Sequence, residues 1–168
     1  MPVHLTNRQR RFPVDQARLS RLAEACLAEL GIGDAELSVL LVNDRAMRTM
    51  NRQFRHIDQT TDVLSFPLHD GDPASLEGRM TTTAGEPQPL LGDVVISVER
   101  AYLQAAQFEV TPDEELALLL VHGVLHLSGH DHEQGPDEAV RMRTAEQNML
   151  TVLGLSRPGL IRRAEEEM

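Results

Sequence analysis

Apolar positions along the chain switch between a period near 3.6 and short continuous runs, and the switches divide it into helices and strands. Pro2 to Leu5 reads as a short first strand. From Asp15 to Leu30, residues Leu19, Leu22, Ala23, Cys26, Leu27 and Leu30 fall on one helical stripe, and Gly31 ends it. Glu36 to Val42 has the length and composition of a strand. Asn43 or Asp44 then caps a helix to about Phe54, in which Met47, Met50 and Phe54 recur at helical spacing and should face the core. Val63 to Phe66 and Asp93 to Ser97 read as strands, separated by a long loop at 69–91 rich in Pro, Gly, Thr and acids. A helix follows from about Val98 to Phe108. Thr111-Pro-Asp-Glu114 has the capping-box form, with proline at the first helical position, and opens the next. Pro136 begins a last helix that fades near Leu153, and residues 162–168 read as a frayed tail. The chain shows no internal repeat. Helices interleaved with few short strands predict a single domain over 1–168, of α/β (α+β) class. Its centre should be a small mixed four-stranded sheet packed between helices.

Composition narrows the picture. With 168 residues and 41% hydrophobic content the chain can bury a real core, and 3% aromatic content means that Leu, Val, Ile, Ala and Met must fill it. A single cysteine, Cys26, excludes an internal disulfide and suits a reducing compartment. Its place on a helical stripe makes it a buried structural thiol rather than a nucleophile. The N-terminus lacks an apolar signal region, and the longest apolar run, Leu116 to Val121, is too short to span a bilayer. A cytoplasmic protein without a membrane partner is expected.

Charge is unevenly spread. The net charge of −10 argues against indiscriminate nucleic-acid binding. Residues 1–55 nevertheless hold nine arginines against six acids, whereas residues 56–168 hold seven against twenty. Lysine is absent, which reads as a composition bias. Arginine alone carries the positive charge, and its planar fork suits phosphate.

The densest chemistry lies in His122-Gly-Val-Leu-His126-Leu-Ser-Gly129-His130-Asp131-His132, which holds four of the seven histidines. It continues the apolar run that should be helical. Histidines four apart stand one above the other on a helix face, about 6 Å apart at Cβ, and can grip one ion. Gly129 can end the helix in a left-handed conformation and return a third histidine, His130 or His132, to the site. Three neutral nitrogens leave one position open on a divalent ion, as catalytic zinc requires. The spacing also follows the zinc-peptidase pattern H-E-x-x-H-x-x-G-x-x-H, with His122, His126, Gly129 and His132 in register. Gly123, however, stands where that pattern places its general-base Glu, so peptide hydrolysis loses its main support.

A second element is the helix ending near Phe54. Arg45 and Arg48 read as a solvated basic face. Arg55 closes the helix before Thr61-Asp62, where it either serves the helix C-terminus or extends into a neighbouring cleft. Taken with Asn51, Thr61-Asp-Val-Leu-Ser-Phe-Pro67, Leu91-Gly-Asp-Val94 and the histidine segment, the chain resembles the bacterial YbeY family of rRNA maturation factors, zinc-dependent endoribonucleases. The likeness runs from about residue 35 to 155, and every fixed position of H-G-x-L-H-L-x-G-x-D-H is present. The resemblance implies one Zn2+ per chain held by His122, His126 and His132 at the end of a C-terminal helix, with Arg55 as the arginine required for activity. It implies RNA as substrate, in maturation of the 16S rRNA 3′ end and ribosome quality control, with ribosomal subunits and associated proteins as partners and no DNA. His130 departs from the tyrosine often found there, and the loop at 69–91 is longer than the minimal connection.

Asp131 and Glu133 are the nearest carboxylates to the metal pattern, as turn caps, as groups that orient a histidine or as proton carriers. Asp62 and Asp93 read as turn formers, or at best as outer supports of the site. Two other readings stay open. One is a non-catalytic, metal-stabilised ribosome-assembly factor, which a fourth ligand from His130 would favour. The other is a zinc hydrolase of other substrates, which Gly123 weakens.

Overall fold

A computed structural model of the protein describes residues 3–67, 90–129 and 136–165. Four strands, β1 (Val3–Asn7), β2 (Glu36–Val42), β3 (Val63–Pro67) and β4 (Leu90–Ser97), form one sheet in the order β1-β2-β4-β3. β1, β2 and β4 run parallel, and β3 lies antiparallel on β4, with Val63 opposite Ile96 and Phe66 opposite Asp93. The expected small mixed sheet between helices is therefore present. The helices are α1 (Gln16–Glu29), α2 (Asp44–Arg55), α3 (Val98–Phe108), α4 (Pro112–Leu127), α5 (Pro136–Val152) and α6 (Pro158–Glu165).

The sheet has two unlike faces because strand side chains alternate. Leu37, Val39 and Leu41 of β2 and Val94 and Ile96 of β4 point to one side, where they are fully buried with residues of α1 and α4. The other side carries Val42, Leu64 and Val95, covered by Met47 of α2. The two apolar layers dictate the two-sided packing.

Local signals set the helix starts. The Asp15 and Asn43 side chains accept from the N–H of Arg18 and Ala46, capping α1 and α2. Thr111 and Glu114 form the expected reciprocal capping box at α4. Cys26 is fully buried, and burial pushes its thiol up to about 12, consistent with a structural role.

The structure corrects three expectations. Phe54 does not face the core but is 62% exposed, because α2 covers only part of its sheet face and Phe54 lies at the rim, edge-on to Phe66. Residues 90 and 91 belong to β4 rather than to the loop, since pairing with β2 begins at Leu90; the rest of that loop lies outside the described residues. Residues 162–165 are not frayed. They end α6, where Leu160 and Ala164 enter the core and Arg163, 2% exposed, makes two 2.8 Å bonds to the buried Glu115. The Arg163 guanidinium also lies 4.1 Å from the Phe108 ring centre. Burial pushes the Glu115 carboxyl up, opposed by the Arg163 charge.

Candidate metal centre

α4 is buried almost all round, so its two histidines sit in the protein body rather than on a solvated face. His122 is 6% exposed and His126 is half-buried. Their rings stand edge to face with centroids 4.7 Å apart, as one helical turn dictates. The helix ends at Leu127, and Gly129 has a φ of 112°, the positive backbone angle expected of the turn. His130, Asp131, His132 and Glu133 lie outside the described residues. Among the described residues no three His, Cys, Asp or Glu side chains converge on one point.

The structure adds one residue that the sequence reading missed. The Glu146 carboxylate of α5, 1% exposed, accepts a hydrogen bond from His122 Nδ1. That contact fixes the ring tautomer, with the proton on Nδ1 and the lone pair on Nε2. A carboxylate behind a histidine is the usual support of a metal-binding imidazole, so the donor set fits a transition metal. A signal for it existed in the sequence. Met142, Glu146, Met149 and Leu150 share one buried stripe of α5, and an acid on such a stripe needs a specific partner.

Gly123 has a steric explanation. A Cβ there would lie 2.7 Å from Val94 Cγ1 and 3.0 Å from Val94 Cγ2, so α4 packs on β4 through a bare backbone. Ser65 Oγ donates to the Gly123 carbonyl across the same contact, at 3.1 Å. No glutamate can occupy this position in this packing, and the peptidase-type base is structurally excluded there.

Arg55 reaches the same end of the sheet by another route. The C-terminal end of α4 lies over Gly92, whose added Cβ would meet Phe66 O at 2.4 Å and Leu127 Cδ2 at 3.0 Å. Phe66 in turn packs on Phe54, with ring centres 5.4 Å apart, and Arg55 follows, exposed at the end of α2. α2 and α4 thus bring Arg55 and His126 from opposite sheet faces to one end of the β3–β4 pair. His56 caps α2 in the left-handed conformation and turns the chain away. Asp93 begins its approach at this end, opposite Phe66.

Asp62 and Arg48 belong elsewhere. Asp62 sits at the opposite end of β3, accepting from Val63 N and Gln104 Nε2, so it does not support the histidines. Arg48 is not simply solvated; it makes a two-pronged contact with Asp58, at 2.9 and 3.2 Å.

The family model described as Endoribonuclease YbeY matches residues 4–154. The chain belongs to the YbeY family. Proteins named Endoribonuclease YbeY are similar over most of their length. The one from Geobacter metallireducens is 39% identical over 162 residues, covering 96% of this chain and all of that one. Those from Chloroflexus aurantiacus and Pelotomaculum thermopropionicum are 44% and 42% identical, covering 85% and 94% of this chain and 90% and 100% of theirs. The solution structure of TM1509 from Thermotoga maritima superposes with a TM-score of 0.54 at 22% identity, covering 98% of this chain and 96% of that one, which supports the fold. None of the described helices is long and apolar enough to cross a membrane.

Proposed function

We propose that this YbeY-family chain is a metal-dependent endoribonuclease of single-stranded RNA, acting in the cytoplasm on ribosomal RNA. Maturation of the 16S 3′ end and ribosome quality control are its proposed roles, with ribosomal subunits and their associated proteins delivering the substrate. The observation that carries the reading is the His122–His126 pair with Glu146 bonded behind His122.

His122, His126 and His132 would hold one zinc ion per chain. Bound there, zinc supplies a Lewis acid and a positive charge for a phosphodiester. The protein supplies the rest. Glu146 orients His122 and raises its basicity as a ligand. Arg55 neutralises charge that develops on the non-bridging phosphate oxygens, with a fork that matches phosphate. Unpaired RNA is the expected substrate because its backbone can bend into the site, whereas a duplex holds its phosphates rigidly.

The test is metal content and cleavage in parallel. Purified protein should carry one zinc per chain, cut an unstructured RNA, stop when a strong chelator is added, and leave the matching DNA intact. His126→Ala should lose stoichiometric metal, whereas His130→Ala should keep it. Arg55→Ala should lose cleavage while keeping metal and fold, and Arg55→Lys should recover only part. Full zinc occupancy in His126→Ala would defeat the site as drawn. Metal-replete protein that cuts no RNA, even on ribosomal particles, would favour a non-catalytic assembly role.

A further inference from the structure

On the sheet face away from the histidine helix, α2 covers β3 and β4 but leaves β1 largely bare. His4 and Thr6 of β1 are exposed there, and Ser38 and Leu40 of β2 are half-buried. Between α2 and this open half runs a groove of about 600 Å3. Its floor includes Leu40 and Met50, its mouth carries Arg8 and Arg45, and Gln53 and Phe54 line its far end. Arg8 is held in place by its backbone N–H, which donates to Leu41 O at 2.8 Å.

Two features say what the groove takes. The first is charge. Among the described residues Arg8 and Arg45 are the only charged side chains lining the groove, and neither enters an ion pair. In a chain of net charge −10, two uncompensated cations beside an apolar floor form a local attraction for an anion with flat apolar parts. The second is continuity. The groove ends at Phe54, which immediately precedes Arg55 and packs on Phe66 beside the end of α4. Phe66, opposite Asp93 near the end of β3, thus joins the groove's far end to the end of the histidine helix.

We propose that this groove holds the unpaired RNA strand beside the cleavage point, with bases over Phe54, Met50 and Leu40 and phosphates on Arg8 and Arg45. The inference rests on the endoribonuclease reading and extends it to a substrate track. Exposed aromatic rings stack on any base, and the Gln53 amide can hydrogen-bond a base edge, which gives binding without strong sequence preference. An acidic peptide would match the arginines but not the continuity with a phosphodiester site.

The experiment measures binding of a short, unstructured, labelled RNA to metal-depleted full-length protein, so that cleavage does not intervene. Arg8→Glu and Arg45→Glu combined should weaken binding by about tenfold or more and lower the salt dependence of log K by roughly 1.4, as two lost phosphate contacts require. Phe54→Ala should weaken it roughly fivefold to a hundredfold through lost stacking. All three residues are exposed, and an acid in the first turn of α2 suits the helix dipole, so folding is preserved and checked by thermal melting. Arg21→Glu, exposed on α1 across the sheet, should bind as wild type. In metal-replete protein the groove variants should raise KM for a longer RNA. Wild-type affinity and salt dependence in the charge-reversed variant would overturn the proposal, as would loss of binding to an acidic peptide with RNA binding unaltered. Cleavage with a groove-independent KM would sink the track and spare the nuclease. Groove-dependent RNA binding without cleavage would do the reverse.

Discussion

Glu146 offers the sharpest test of the metal centre, because the carboxylate is 1% exposed and bonded to a histidine that is 6% exposed. Glu146→Gln keeps the size and an acceptor oxygen but removes the charge. A hydrogen bond to a charged group contributes about 1.5–3 kcal/mol, and a neutral one about 0.5–1.5. The difference, about 1–2 kcal/mol, acts mainly on the metal-bound state, where the imidazole donates electron density and its Nδ1–H becomes a stronger hydrogen-bond donor to the carboxylate. Metal affinity should therefore fall by roughly five- to thirtyfold, overlapping the lower part of the range of about ten- to a hundredfold typical of such supporting groups. Glu146→Ala should do more, since it leaves Nδ1–H buried without its carboxylate and opens a cavity between α4 and α5. Competition with a chelator of known affinity measures the first effect, and thermal melting of the metal-free proteins measures the second. Glu146→Gln should lower affinity with little loss of metal-free stability, and Glu146→Ala should lower both. Wild-type zinc affinity in Glu146→Gln would refute the reasoning. So would equal melting losses in both variants without a change in affinity, which would make Glu146 a purely structural residue.

Three further outcomes follow from the packing. Glu115→Ala strands the Arg163 guanidinium in the core and should cost about 3–5 kcal/mol by urea unfolding, whereas a double change of Glu115 to Leu and Arg163 to Met should recover most of that loss. Gly123→Ala should cost about 1–3 kcal/mol despite alanine's better helix propensity, because its Cβ would crowd Val94; adding Val94→Ala should return part of it, measured by the same method. The Arg157 guanidinium bonds Glu114 at 2.7 and 2.8 Å and holds its carboxyl at about 2, below its ordinary 4.5. A depressed carboxyl stabilises the fold above its unfolded pKa, so this contribution should be complete above about pH 4.5 and vanish as pH falls through about 2. With Arg157 half-exposed it is at most about 1 kcal/mol, and Arg157→Gln should remove most of that pH dependence between those limits, the Thr111 hydrogen bonds to Glu114 keeping the rest.

Much of the fold was legible because its signals are local. The strands at 36–42 and 63–67, the capping box at Thr111 and the proline starts at 112 and 136 each depend on residues within a few positions of one another. The histidine pair was legible for the same reason, since one helical turn fixes its geometry. Errors fell where a distant partner decides. α6 is a weak helix by sequence, yet Arg163 finds Glu115 forty-eight residues away and Phe108 beside it, and that anchoring orders the segment. Phe54 fits a core stripe by period alone, but only the sheet's limited cover under α2 determines that it stays exposed.

The chain by itself thus determined the helices and strands other than α6, the paired imidazoles on α4 and the arginine that closes α2, because backbone periodicity and capping act over one or two turns. Tertiary structure alone decided that Glu146 backs His122, that Val94 leaves no room for a side chain at Gly123, and that α2 and α4 end beside the same pair of strands. Those relations depend on which faces the sheet offers and how closely the helices pack on them, and no spacing along the sequence encodes them.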